Sequence, residues 1–252
     1  MNTPAYILSI ELGGNLAILV ALLVGLNLVL GRSDWPAEKQ ASAMQATGLI
    51  LVAWFGAALG LSWLGFFQGA RDSIPTIQIG VFAPIIIGVI ALWRSETLAR
   101  IIEATPQSWL VGIQVYRVIG FVFLLLFWSG RLPGVFALPA GIGDVLVGVL
   151  APIVGFVSGR HGVPSRRLVL AWNVLGILDL VVAIGTGFLT SPSPVQLLSL
   201  DAPNELISAF PLVMVPVFAV PLSILLHFAS LTKLRGTMRE TMSPAAIPAP
   251  AR

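Results

Sequence analysis

The sequence has no cysteine and only two histidines among its 252 residues. Without cysteine, the chain can form no disulfide, thiolate metal site, iron–sulfur cluster or cysteine nucleophile. The histidines cannot ligate a haem together, because His161 falls in a loop of the predicted topology and His227 falls in a helix. The sequence also lacks a phosphate-binding loop, a metal-ligand cluster and a dinucleotide fingerprint. We therefore expect no cofactor and no metal, assign no catalytic residue, and favour a non-enzymatic protein.

Charged residues are also scarce. Only 10% of the residues are charged and 57% are apolar, whereas a soluble domain carries about 25% charged residues. The apolar residues form continuous runs close to the roughly 20 residues that cross the hydrocarbon core as a helix. Because backbone groups in lipid must pair within the protein, and the runs do not alternate with polar residues, the pattern predicts helices and excludes a barrel.

The apolar runs predict an all-α fold, a polytopic transmembrane bundle of seven helices in one domain. The predicted spans are residues 7–30, 46–67, 77–93, 109–128, 140–157, 168–189 and 210–231. Residues 232–252 form a basic tail rich in proline and alanine, which we predict to be disordered and close to anionic lipid.

Lysine and arginine are distributed unevenly between the predicted loops. Eleven of the 14 fall on one side of the membrane and two on the other, while Arg117 lies inside a helix. By the positive-inside rule, this places the N-terminus outside and the C-terminus in the cytoplasm, as in a bacterial-type inner membrane. Since the basic residues are spread over short loops, we expect the lipid bilayer, and not nucleic acid, as the partner.

Five titratable residues break the apolar rule within predicted spans: Glu11, Arg117, Asp144, Asp179 and His227. A charge at mid-bilayer costs about 2.5–3.5 kcal/mol on insertion scales, so each is a candidate functional residue. Asp179 and Arg117 are predicted at similar depths near the middle. Glu11 and Asp144 are predicted nearer the outer boundary, within reach of interfacial water.

Helical geometry, at 100° per residue, predicts which way these groups face. Asp144 shares an arc with small residues, so it should lie on a close-packing face; the arc contains Gly141, Gly148, Ala151, Pro152 and Gly155. Asp179 shares an arc with Gly176, and Asn173 lies at its edge. His227 is predicted near the inner end of the last helix, on one face with Ser223 and Ser230, where a hydrogen-bonded structural role is favoured over a proton relay.

Two interpretations of Arg117 and Asp179 remain open. They are either a buried ion pair that joins the fourth and sixth helices, or part of a polar pathway in which a carboxylate binds a proton or cation. The pathway predicts a transporter or channel for a small solute or ion, with Asp179, Asp144, Arg117, Glu11, Asn173 and His227 as candidate residues. The ion pair is compatible with a non-catalytic scaffold or accessory subunit, whose glycine faces would contact a second copy or another membrane protein.

One short motif suggests a third function. Gly141-Ile142-Gly143-Asp144 resembles the Gly-x-Gly-Asp motif of intramembrane aspartyl proteases, which implies a second aspartate, here Asp179. In that family the partner aspartate precedes the motif, whereas Asp179 follows it. The predicted depths of the two aspartates also differ, and a dyad must share a proton over a few ångström. An aspartyl-type enzyme is therefore the weakest of the three alternatives.

Overall fold

A computed structural model describes residues 5–72, 75–159 and 163–242. These residues form an all-helical structure without strands. Seven helical segments are long and apolar enough to cross a membrane. The predicted all-α class and the seven helices long enough to span are therefore confirmed, and these helices are compatible with a multi-pass membrane protein.

The helices follow one another through short connections. Their bounds are α1 Ala5–Gly31, α2 Ala37–Trp63, α3 Ile77–Arg94, α4 Glu96–Ala104, α5 Gln107–Gly112, a 3₁₀ helix Ile113–Gly120, α6 Phe121–Trp128, α7 Gly134–Ser158, α8 Val163–Thr190, a 3₁₀ turn Leu206–Ser208, a π-helix Val215–Ala219 and α9 Val220–Met242. The fourth span comprises α5, the 3₁₀ helix and α6, and the seventh joins the π-helix to α9.

Because seven connected spans alternate in direction, the loops gather at two ends of the bundle. We call the "α4 end" the one formed by α4, by the loop after α1 and by the end of α7 at Ser158. The "α6 end" is formed by the loops between α2 and α3, α6 and α7, and α8 and α9. At the α6 end the two long loops are in contact, since Gly69 N–H donates to Ser208 Oγ at 3.2 Å.

Several predicted boundaries differ from the structure, and three of the differences are informative. Helix α2 begins at Ala37 instead of residue 46, because Pro36 precedes a polar but helix-compatible turn. Helix α7 begins at Gly134, directly after Pro133, instead of residue 140. Helix α9 continues to Met242, so residues 232–242 are helical rather than disordered; they contain no proline. Residues 243–252 of the predicted tail lie outside the described residues.

Two spans depart from α-helical geometry. The fourth tightens into a 3₁₀ helix from Ile113 to Gly120, which contains Arg117. The seventh starts as a π-helix that includes Pro216, and a proline lacks the N–H that an α-helix would use. Such 3₁₀ and π segments within a longer helix often mark functional positions.

Helix α7 is the central element, and glycine permits its close packing. A Cβ on Gly148 would lie 2.6 Å from the backbone nitrogen of Val118, and one on Gly155 would lie 2.9 Å from the carbonyl oxygen of Ser108. The fourth span therefore packs directly against the small-residue face of α7. Asp144 is buried on this face as the sequence predicts, whereas Pro152 is exposed.

Helix α1 presents its polar side to the bundle. Glu11 and Asn15 are buried, while the small residues Gly13, Ala17 and Ala21 face outward. The polar pair therefore lies on the buried side of α1, together with apolar residues such as Ile7 and Ile18, while these small residues are exposed.

Candidate functional site

Arg117 is the centre of a buried ionic cluster between the fourth, fifth and sixth spans. Its side chain is only 1% exposed. Nε and Nη2 both donate to Asp144 Oδ1 on α7, at 2.8 Å and 2.7 Å, and Nη2 also donates to Asp179 Oδ2 on α8. One guanidinium therefore binds two carboxylates, so the sequence-predicted contact between Arg117 and Asp179 is present but is shared with Asp144.

The remaining guanidinium nitrogen faces the sixth and seventh spans. Arg117 Nη1 lies 3.4 Å from the carbonyl oxygen of Gly176 and 3.3 Å from His227 Nε2. Every guanidinium nitrogen thus has a protein acceptor. Because hydrogen bonds to a charged group are stronger than neutral ones, this arrangement fixes the side chain in one orientation.

His227 connects the ionic cluster to a hydrogen-bonded network of amide and hydroxyl groups. Its Nδ1 lies 2.9 Å from Asn173 Oδ1, while Asn173 Nδ2 donates to Val169 O at 2.8 Å and to Ser230 Oγ at 2.9 Å. Since Asn173 Oδ1 can only accept and Arg117 Nη1 can only donate, the imidazole carries its proton on Nδ1 and accepts through Nε2. His227 is therefore held as a neutral ring between an arginine and an amide.

The network reaches the α4 end through Gln107. Gln107 Nε2 donates to Ser230 Oγ at 2.6 Å, and Gln107 is the first residue of α5. Amides orient their neighbours but do not readily release protons, so this arm positions His227 and joins the fourth, sixth and seventh spans.

Glycines make room for the polar side chains of the cluster. A Cβ on Gly143 of α7 would collide with the Asp179 carboxylate, and one on Gly176 of α8 would collide with the His227 ring. The helices can therefore bring these polar groups together only because both positions lack a side chain. The motif glycine Gly143 thus has a packing role beside Asp179.

Glu11 lies across a small cavity from the ionic cluster. The cavity has a volume of about 30 Å³ and is lined by Glu11, Asn15, Ile18, Tyr116, Arg117, Ile119, Gly120, Asp144, Leu180, Val215, Ala219, Val220 and Ser223. Glu11 is only 1% exposed, so the expectation that it reaches interfacial water is wrong: the inward face of α1 buries it against the bundle. Asp179 does not line this cavity.

The expected depths of Asp144 and His227 are also corrected. Because α7 begins at Gly134, Asp144 lies ten residues from that end, and Asp179 lies eleven residues from the adjacent end of α8 at Thr190. At 1.5 Å per residue both are roughly 15 Å inside the helices. His227 is fully buried and lies nine residues before Gly236, where the last span ends, so it is not at the end of the helix.

The two aspartates are neighbours, because both contact Arg117 Nη2. In a catalytic aspartyl dyad, by contrast, the two carboxylates share a proton. No group of three His, Cys, Asp or Glu side chains that could hold a metal ion occurs within residues 5–72, 75–159 and 163–242. The contacts that the cluster makes are those of charge compensation, since one guanidinium binds two carboxylates.

The structure adds polar groups that were not selected as site residues from the sequence. Tyr116 Oη and Ser223 Oγ lie 2.6 Å apart, and both line the cavity beside Glu11. Gln107 and Ser230 belong to the His227 arm. The shared face of Ser223, His227 and Ser230 was the available signal, but helical periodicity does not show which neighbouring helix supplies the partner.

Comparison with known proteins gives one family match. The sequence model of a family described as "Domain of unknown function (DUF8737)" matches residues 74–235. No curated protein and no solved structure matches the chain. The matched segment contains Arg117, Asp144, Asn173, Asp179 and His227, whereas Glu11 lies before it. Because the match covers more than half of the sequence, the chain belongs to the DUF8737 family.

Proposed function

We propose that the protein moves a small cation, in the simplest case a proton, across a bacterial-type inner membrane. In this proposal Asp144 and Asp179 accept the cation and Arg117 is their counter-charge. The α4 end, which carries most of the basic residues, faces the cytoplasm, and the N-terminus lies outside.

The observation that carries the proposal is the excess of buried carboxylates over buried cations. Two aspartates contact one guanidinium, and Glu11 borders the same cavity as Arg117 and Asp144. A structural ion pair requires only one carboxylate for one arginine. Because uncompensated charge is costly away from water, the extra carboxylates favour the uptake of a proton or another cation.

The same geometry disfavours an anionic solute. Each guanidinium nitrogen of Arg117 already has a protein acceptor, from Asp144, Asp179, Gly176 or His227. An anion would have to displace one of these acceptors and would meet two carboxylates. A cation instead reduces the repulsion between the carboxylates.

A scaffold or accessory subunit is the second candidate, and one observation favours it. The Arg117 cluster connects the fourth, fifth, sixth and seventh spans through side-chain hydrogen bonds. Such a cluster can fix the arrangement of helices without any transport. The two functions differ in whether neutralising one aspartate removes an activity from a protein that remains folded.

Proton flux into liposomes tests the proposal. The purified protein is reconstituted with an internal pH-sensitive dye, and a potassium diffusion potential drives proton entry. We expect flux with the wild type, loss of flux with Asp179→Asn and Asp144→Asn, and unchanged flux with Asp201→Asn, which neutralises an exposed aspartate. Thermal unfolding of each variant establishes that it is folded.

Two outcomes would oppose the proposal. If folded Asp179→Asn and Asp144→Asn both conduct as the wild type does, the aspartates are not acceptors. If the wild type shows no flux of protons, sodium or potassium, cation transport is rejected and the scaffold is favoured.

A further inference from the structure

The cavity between α1 and the Arg117 cluster is small and is lined by residues of five spans, the first, fourth, fifth, sixth and seventh. At about 30 Å³, it exceeds the roughly 10–15 Å³ that one water molecule needs in this measure. It therefore has room for about two water molecules or one largely dehydrated small ion. Glu11 and Asn15 of α1 face Asp144 of α7 across this space.

Two of the residues that line the cavity each carry an oxygen atom with unmet hydrogen-bonding capacity. Glu11 Oε1 and Asn15 Oδ1 are buried and have no hydrogen-bond partner among the described residues. The amide of Asn15 is oriented by Nδ2, which donates to the backbone oxygen of Glu11 at 2.7 Å and lies 3.4 Å from Glu11 Oε2. Both unpartnered atoms are therefore acceptors, which require a donor or a cation.

The surrounding charges favour a cation. Arg117 also lines the cavity, but its nitrogens are occupied by Asp144, Asp179, Gly176 and His227. The other polar groups that line the cavity, Tyr116 and Ser223, are neutral hydroxyl groups bonded to each other at 2.6 Å. If the three carboxylates are ionised, the arginine leaves two negative charges without compensation.

We propose that Glu11, Asn15 and Asp144 form a binding site for a monovalent cation, either a proton shared with bound water or a sodium ion. Carboxylate and amide oxygens are ligands suited to hard cations. This site deepens the proposed function and rests on it, because it names the position where a cation enters the cluster. It also assigns a role to α1, which lies before the segment that defines the family match.

Two binding measurements on purified protein identify the cation. In the first, thermal unfolding is followed while sodium replaces choline at constant ionic strength, since a ligand that binds the folded state raises Tm. In the second, infrared spectroscopy detects the carbonyl stretch of a protonated carboxylic acid. Both use the wild type, Glu11→Gln, and the control Glu38→Gln, which changes an exposed glutamate at the start of α2.

The two measurements distinguish three results: a sodium site, a proton site and the absence of a cation site. A sodium-dependent rise in Tm that is lost in Glu11→Gln and retained in Glu38→Gln identifies a sodium site. Absence of a sodium effect, with a carboxylic acid band that only Glu11→Gln removes, identifies a proton site. If Glu11→Gln changes neither measurement, the cavity holds only structural water and the inference is overturned.

Flux measurements test the proposed transport separately from the proposed cation site at Glu11. A positive binding result in a protein that conducts no cation keeps the site and rejects the proposed function. Wild-type flux that is unchanged in Glu11→Gln rejects the site as a step of the pathway, while Asp144 and Asp179 remain acceptors. If Glu11→Gln does not fold, Glu11→Asp replaces it, because the shorter side chain keeps the charge but withdraws it from Asn15.

Discussion

Arg117 and Asp144 meet through two guanidinium nitrogens and one carboxylate oxygen, with Nε and Nη2 lying 2.8 Å and 2.7 Å from Oδ1. Asp179 contacts the same Nη2. The arginine therefore compensates two carboxylates, and the loss of either one leaves a paired arginine. Loss of the arginine leaves two buried carboxylates unpaired.

Because one arginine compensates two carboxylates, removing the arginine should destabilise the protein more than removing one aspartate. Arg117→Gln should lower the free energy of unfolding by about 3–5 kcal/mol, the usual cost of breaking a buried pair. Asp179→Asn should cost much less, because Arg117 keeps Asp144. The double variant should recover part of the loss, with a coupling energy of about 0.5–3 kcal/mol. Thermal unfolding in detergent measures all three, and equal losses from the two single changes would contradict the shared-arginine geometry.

Gly143 should not tolerate a methyl group. In Gly143→Ala the new Cβ would occupy the position of the Asp179 carboxylate, so Asp179 must move away from Arg117. We expect a loss of about 1–3 kcal/mol, typical of overpacking. The control is Gly185→Ala on α8, where a Cβ meets nothing within 4 Å; it should be neutral or slightly stabilising, since alanine is the better helix former. A stable Gly143→Ala protein would show that α7 and α8 are farther apart.

His227 and Asn173 should behave as a coupled pair. His227→Phe removes the acceptor of Arg117 and the donor to Asn173 Oδ1, and we expect a loss of about 1–3 kcal/mol from the unsatisfied groups. Asn173→Leu should cost a similar amount, and the double variant should cost less than the sum. Additive losses in a denaturation series would mean that the two side chains do not interact.

The absence of cysteine allows a direct test of orientation. Single variants Asp201→Cys and Glu38→Cys place a thiol at the α6 end and the α4 end, respectively, at exposed positions. In intact cells, a membrane-impermeant maleimide should label Asp201→Cys and should label Glu38→Cys only after the membrane is opened. The reverse pattern would overturn the proposed orientation while leaving the seven spans intact.

Much of the fold could be predicted from local properties of the sequence. Apolar run length determined the seven spans, because the cost of placing backbone and charge in lipid depends on each segment separately. Boundaries were less accurate where polar residues continue a helix beyond the apolar run, as at Ala37 and Met242. Hydropathy measures burial in lipid and does not show where helical hydrogen bonding stops.

Apolar runs alone predict seven membrane-spanning helices and place Glu11, Arg117, Asp144, Asp179 and His227 within them. Which of these groups meet depends on how the helices pack. Arg117 and His227 are separated by 110 residues, and their contact depends on helix rotation, relative depth and the close packing that glycine permits. These are collective properties of neighbouring helices, so the periodicity of one helix could predict an inward face but not the partner it finds there.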